Sequence, residues 1–358
     1  QVGLFMTGSI TSYELTKQRA ELLRELSVKR KLYALCTKGM SIATDPTASI
    51  EDFEKLLSDL RDTSASNDTG EQSFGDTVKM LRKDMAGRID GTAEQGMMTG
   101  LHIFDSHYGL HAGDLVIFAG RTSQGKSTLA TTIARNMALM GTPSAYYSLE
   151  MGAKQLTARI MARDTMLSSS RMLYDKMNDG ELARFDQQAA TMQQLPIYYD
   201  DKSKTSFKRL TTSIRAMVRK HAIRIAFIDY LQILANGSRD NRESLIGDMA
   251  RDLKRLAVEE NICVCALSQL SRPKDEKGRP RLNQMRGSGQ IEEACDMAVL
   301  IHRPNLQKES ANIYLDKGRN IGVAKDIIKF NGNLSYFSDF EQGDPSAPYK
   351  EQKEDLPF

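Results

Sequence analysis

The sequence runs to 358 residues, 40% of them hydrophobic, enough for one large α/β domain with a sizeable core and a smaller appendage. A net charge of +3 excludes a general polycation, so any nucleic-acid site has to be a local stripe. No apolar run approaches the roughly 20 residues that span a bilayer, and the N-terminus lacks the charged-then-apolar pattern of a secretory signal, so no membrane partner is expected.

The chain opens on Gln1, as a trimmed or fragmentary sequence would. Thr11 and Glu14 have the spacing of a capping box, and they predict a helix to about Cys36 with Leu15, Leu22, Leu26 and Tyr33 on one face. Pro46 marks a loop, after which Phe53, Leu56, Leu57 and Leu60 predict a second helix over Ile50–Arg61. Residues 1–63 therefore read as a helical hairpin, too small to be stable alone. Residues 64–90 read as a linker: a flexible stretch over Ser64–Glu71, then a short amphipathic helix over Phe74–Ile89 with Val78, Leu81 and Met85 in phase. That helix can pack within its own chain or dock on a neighbouring subunit.

Residues 91–340 alternate short apolar runs with helical stretches. Strands are predicted at Leu115–Ala119, Ala145–Leu149, Ile197–Tyr199, Ile225–Asp229, Ile262–Leu267 and Met297–Ile301. Ile313–Leu315, Lys325–Phe330 and Leu334–Phe337 read as an antiparallel finish. The fold class is α/β, with a mostly parallel twisted sheet covered on both faces. Residues 341–358 are polar, contain prolines and are expected to be disordered. Cys36, Cys263, Cys265 and Cys295 form no C-x-x-C pair and read as buried core thiols, in keeping with a reducing cytosol. His102, His107 and His111 match no metal-binding spacing.

The segment Gly120, Arg121, Thr122, Ser123, Gln124, Gly125, Lys126, Ser127 matches G-x-x-x-x-G-K-[ST] between an apolar strand and a helix over Thr128–Met140. Its glycines let backbone N–H groups curl around phosphates, Lys126 can reach the terminal phosphates, and the Ser127 hydroxyl can hold Mg²⁺. Nucleotide contacts are expected from this whole loop and from Thr128 at the start of the helix. A second Mg²⁺ partner is Asp229, which ends the apolar run Ile225–Asp229 in the manner of a Walker B strand. Tyr230 follows instead of a second acid, so the group that activates water is sought elsewhere. Glu150, just past the strand after the P-loop helix, is the candidate base, since strand carboxyl ends share one crevice. Gln269 reaches the same edge and can bond a γ-phosphate or pass a signal to a nearby loop.

Taken together, Gly113-Asp114-Leu115, GRTSQGKS, Ser148–Met151, Ile228–Leu234, Ala266–Arg272, Arg286–Glu292 and Lys317–Asn320 occur in the order found in the DnaB helicase family, which the chain resembles over about residues 50–340. The resemblance implies a RecA-like ATPase core that uses ATP and Mg²⁺. It implies a homo-hexameric ring with nucleotide at subunit interfaces, single-stranded DNA in the channel, and a cytoplasmic setting in a bacterium, phage or mobile element. A primase and a helicase loader are candidate partners. The helix over Phe74–Ile89 would dock on the adjacent subunit. Ser127 and Asp229 carry over as Mg²⁺ partners, Glu150 as catalytic base and Gln269 as sensor. Lys317 and Arg319 match K-x-R-N, the arginine finger and its companion, with Ile321 where the family usually has glycine.

The segment Arg279–Glu292 is basic at its start and glycine-containing at its centre, and in the resemblance it is the central-channel loop. Arg286, Gly287, Ser288 and Gly289 are its DNA-binding candidates, presenting a guanidinium and backbone N–H groups to phosphates. Asn236–Glu243 reads as a second polar loop, solvated or DNA-facing. Neither has interleaved aromatics, so backbone contacts should dominate over base stacking. The leading function is a translocating ATPase that unwinds duplex DNA. The alternatives are a filament-forming RecA-class recombinase and a KaiC-like regulatory switch.

Overall fold

The structure is a computed structural model describing residues 22–23, 26–65, 73–90, 96–201, 206–230, 233, 239–270, 278–285, 288–319 and 321–341. The chain divides into two compact units, Gln1–Ala93 and Glu94–Phe358. No helix among the described residues is long and apolar enough to cross a membrane.

In the first unit, helix α1 covers residues 26–44, running past the predicted end at Cys36, and Thr11 lies outside the described residues. Helix α2 (Ile50–Ala65) returns alongside it and is also longer than expected, taking in Ser64 and Ala65 of the presumed linker. Gly39 makes the close approach possible: a Cβ there would sit 2.9 Å from Leu56 Cδ2. Lys38 and Asp59 pair at 3.6 Å. Ser49 and Asp52 cap α2 reciprocally, as Ser73 and Asp76 cap α3 (Phe74–Asp90). Along α3, Phe74, Val78, Leu81 and Met85 are all exposed. Cys36 is exposed as well, contrary to the core role expected of it, because it lies on a two-helix hairpin with almost no interior.

The second unit is built on a nine-stranded sheet. In chain order its strands are β1 (Leu115–Gly120), β2 (Ser144–Ser148), β3 (Ile197–Asp200), β4 (Ile225–Asp229), β5 (Cys263–Gln269), β6 (Met297–His302), β7 (Ser310–Gly318), β8 (Ala324–Asn331) and β9 (Tyr336–Ser338). Their spatial order is β3-β2-β4-β5-β1-β6-β7-β8-β9. The first six are parallel and the last three antiparallel, as the sequence pattern predicts.

Strands β1, β2, β4 and β6 are buried along their whole length, so their sequences read as continuous apolar runs without alternation. The period of two survives in what each side chain touches. Leu115, Ile117, Ala226, Ile228, Ala298 and Leu300 face one layer, formed with α9 (Phe207–His221), α10 (Arg239–Glu259) and α11 (Ser288–Ala294). Val116, Phe118, Tyr146, Phe227, Cys263, Cys265 and Ile301 face the other, where α5 (Lys126–Leu139) contributes Leu129, Ile133 and Met137. The two strand cysteines thus share one face, and Cys295 is buried in the opposite layer. Helix α6 (Ala153–Thr165) packs against α5. Arg239 already belongs to α10, so the second polar loop is shorter than Asn236–Glu243, whose first three residues lie outside the described ones.

Strand β1 lies between β5 and β6, and its own outgoing connection runs to β2 on one side while that of its neighbour β5 runs to β6 on the other. In open parallel sheets that is where a crevice opens. The P-loop leaves the sheet at this point.

Candidate nucleotide site

Gly120 ends β1 and the P-loop turns directly into α5. Ser123 and Gly125 hold positive φ, 63° and 98°. A Cβ on Gly125 would lie 2.9 Å from Phe337 Cζ, so the loop rests on an aromatic floor and glycine is required for two reasons. Phe337 packs tilted against Phe330 with ring centroids 4.9 Å apart, and Arg303 places its guanidinium 3.8 Å over the Phe330 ring. Gln124 is buried, and its side-chain oxygen accepts a hydrogen bond from the Arg303 N–H. Phe337 N–H donates to Thr132 Oγ1 at 3.1 Å. The antiparallel strands therefore brace the loop from below. Helix α5 begins without a side-chain cap, leaving its first N–H groups directed at the crevice.

Lys126 Nζ donates to its own loop, at 3.0 Å to the Gly120 carbonyl and 3.1 Å to the Arg121 carbonyl. Burial pulls its pKa down, while Asp229 and Glu150 push it up, so both carboxylates lie within electrostatic reach. Asp229 ends β4 and is 3% exposed. Burial raises its pKa, and hydrogen bonds from the Ser127 and Tyr146 hydroxyls oppose that rise. Tyr146 Oη reaches Asp229 Oδ2 at 3.2 Å and stacks on Phe227 at 5.7 Å. A serine hydroxyl beside a buried carboxylate is a hard-oxygen pair that suits Mg²⁺.

Glu150 is exposed on a turn just past β2. Two bonds set that turn: Leu149 N–H to the Asp229 carbonyl at 2.9 Å, and Met151 N–H to Ser148 Oγ at 3.0 Å. Gln269 ends β5 in register with Gly120 and donates from Nε2 to Thr122 Oγ1 at 2.8 Å. Arg121 Nη2 donates to the Gly278 carbonyl at 3.1 Å. Thr128 is buried in the first turn of α5. Thus Gly120 through Thr128, Glu150, Asp229 and Gln269 all meet at one sheet edge.

Lys317 and Arg319 do not join them. Strand β7 runs antiparallel to β6 with Gly318 opposite Met297, whereas Gly120 lies opposite Ile301. Four residues of strand, roughly 13 Å, separate those two levels. Both cations sit at the amino-terminal edge of the parallel strands. Arg286 and Gly287 lie outside the described residues, while Ser288 and Gly289 open α11. An isolated bridge pairs Leu270, just past β5, with Met285, the residue before Arg286. Arg279, read as the basic start of the segment Arg279–Glu292, instead pairs with Asp316 and lies 4.2 Å over the Tyr314 ring.

Sequence reasoning missed Tyr146, Arg159 and Asp296. Tyr146 sits inside an apolar strand, where its hydroxyl carries no positional signal. Arg159 on α6 is half-buried, acts electrostatically on Asp229 and Tyr146, and lines a small cleft beside α5 with Thr131, Arg163 and Tyr336.

Comparison with known proteins agrees with this geometry. Residues 96–339 match the family model "DnaB-like helicase C terminal domain". A replicative DNA helicase DnaB of Rickettsia bellii is 31% identical over 305 residues, 79% of this chain and 61% of that protein. Its counterpart in Rickettsia conorii is 32% identical over 342 residues, 86% and 68%. A probable plasmid replicative DNA helicase of Chlamydia trachomatis serovar L2 is 32% identical over 232 residues, 64% and 51%. The chain thus spans from about half to about two thirds of the length of these relatives. A solved ATPase domain superposes with a TM-score of 0.68 at 26% identity, covering 76% of this chain and 100% of that one. The fold is also that of a DnaB-like replicative helicase solved in a study of its interactions with primase (TM-score 0.74, 24% identity, 91% and 79% covered). A P-loop braced on a nine-stranded sheet, matched over residues 96–339, makes this chain a member of the DnaB-like helicase family.

Proposed function

We propose that this chain is the ATP-driven motor of a replicative DNA helicase, translocating on single-stranded DNA and unwinding duplex as a homo-hexameric ring. The carrying observation is the meeting of Lys126, Ser127, Asp229, Glu150 and Gln269 at one sheet edge. Lys126 exchanges its two loop carbonyls for the β- and γ-phosphates. The uncapped N-terminus of α5 and the P-loop amides hold the remaining phosphate oxygens. Ser127 and Asp229 would hold Mg²⁺, which would supply charge to offset that of the phosphates. Glu150 accepts the proton of the attacking water, and its exposure leaves room for that water. Gln269, bonded to Thr122 and ending the strand that leads into the channel loop, registers whether the γ-phosphate is present.

Lys317 and Arg319 lie at the edge away from their own P-loop, which supports their acting on the nucleotide of a neighbouring chain. A guanidinium delivered in this way is worth about 10³–10⁵ in rate in GTPase systems. The exposed apolar stripe of α3 supports docking on an adjacent subunit. The glycine-containing centre of the segment Arg279–Glu292 supports DNA contact through Arg286, Gly287, Ser288 and Gly289. A primase partner is proposed from the relative solved in connection with primase. The filament and switch alternatives gain no observation of their own.

Glu150→Gln tests the base. ATP affinity should stay within a few-fold while turnover falls by about 10²–10⁴; normal turnover would move the base elsewhere. Tyr146→Phe removes one of the hydrogen bonds that oppose the burial-driven rise of the Asp229 pKa. The Asp229 pKa should rise further, so the acidic limb of the ATPase pH profile should shift toward higher pH. An unmoved limb would detach Asp229 from that ionisation. Arg286→Ala should weaken single-stranded DNA binding for all sequences and flatten the log–log salt dependence by about 0.7. Basal ATPase should persist, and an unchanged salt slope would exclude this loop from the strand.

A further inference from the structure

Lys317 and Arg319 are tied to groups that the nucleotide chemistry does not explain. The last carbonyls of a helix have no intrahelical donors. At the end of α11, Lys317 Nζ donates to the carbonyls of Glu292 and Cys295, the latter at 2.7 Å. Arg319 donates to the carbonyl of Glu293, and its main-chain N–H donates to the Asp296 carbonyl at 2.9 Å. Beneath them lies the Asp296 carboxylate, 8% exposed. Its two oxygens have different partners. Oδ2 accepts from the Leu115 N–H at 2.9 Å and pairs with Lys254 Nζ at 2.7 Å. Lys254 also donates to the Gly113 carbonyl at 2.9 Å, so this side is anchored to both α10 and the start of β1. Oδ1 faces Arg319 Nη1 at 3.5 Å, and the arginine is 48% exposed.

A buried carboxylate must be paired to be tolerated, and Lys254 with the Leu115 amide already meets that need. The second oxygen is then free to orient an outward-directed guanidinium. A half-exposed ion pair contributes little to stability, so orientation is the more consequential effect. The P-loop is at the other end of β1, five residues or about 17 Å away, beyond direct influence of this cluster.

We propose that Asp296 is a positioning residue for Arg319: held by Lys254 and the Leu115 amide, it sets the direction in which the guanidinium leaves this chain toward a neighbour's nucleotide. The proposal rests on Arg319 acting in trans. Misplacement by about 1 Å costs on the order of 10²-fold in rate, and that is the loss expected for Asp296→Asn with ATP affinity retained.

The test is subunit mixing, read by single-turnover hydrolysis, with folding followed by thermal melting. Asp296→Asn chains keep an intact P-loop and donate a misdirected finger. Mixed with Lys126→Ala chains, which keep an intact finger, they should recover hydrolysis above either variant alone. Mixed with Arg319→Ala chains they should not. Recovery with Arg319→Ala, no recovery with Lys126→Ala, or full activity of Asp296→Asn alone would each overturn the proposal. The control pairs Arg319→Ala with Lys126→Ala. If that mixture recovers nothing, the trans finger itself fails, a result distinct from any involving Asp296. Should Asp296→Asn not fold, Asp296→Glu keeps the charge opposite Lys254 while moving it by a methylene. It should fall in the same complementation group with a smaller loss, and unaltered activity would overturn the proposal.

Discussion

The direction of β7 governs how this molecule can work. Six parallel strands deliver every loop at their carboxyl ends to one edge, and there the P-loop, Glu150, Asp229 and Gln269 meet. Strand β7 then reverses, and its last residues return to the opposite edge beside Met297. A phosphate site and a pair of cations that the family motif associates with it are thereby separated within one chain. Assembly with neighbours is the arrangement we propose to reunite them.

Around the phosphate site, burial and charge are balanced against each other. Desolvation favours the neutral forms of both Asp229 and Lys126, and each is drawn back toward its charged form by neighbours. Hydrogen bonds from the Ser127 and Tyr146 hydroxyls hold the Asp229 carboxylate in place. The P-loop is also bonded outward, through Arg121 to Gly278 and through Thr122 to Gln269. Gly278 begins the described part of the segment that leads to Arg286, and Gln269 precedes Leu270, which bridges to Met285 just before Arg286. Movement of the phosphates thus has a short covalent and hydrogen-bonded path to the proposed DNA loop. On the far side, α11 starts where that loop ends, and its terminal carbonyls receive Lys317 and Arg319.

Much of this was legible in the sequence because it depends on local chemistry. Glycines at fixed spacing and an aspartate closing an apolar run announce themselves, and the strands followed from short apolar runs that burial on both faces produces. Glu150 and Gln269 could be inferred from the rule that strand ends share a crevice. Tyr146 could not, since a tyrosine in a buried strand looks like packing until its hydroxyl is found beside a carboxylate 83 positions away. Asp296 was hidden for the same reason: its partners Leu115, Lys254 and Arg319 come from three distant segments. Arg279 misled in the opposite sense, since its charge suggested DNA while Asp316 and Tyr314 hold it against β7. The hairpin helices ran past their predicted limits: α1 continues through Gly39 to residue 44, just short of Pro46, and α2 meets no glycine or proline before residue 65.

The most direct measurement follows hydrolysis per chain as the protein is diluted through its assembly transition, with oligomeric state read by mass photometry in the same samples. A split site predicts that isolated chains bind ATP yet hydrolyse it poorly, with turnover rising in step with assembly. Isolated chains that hydrolyse ATP as fast as assembled ones would contradict it.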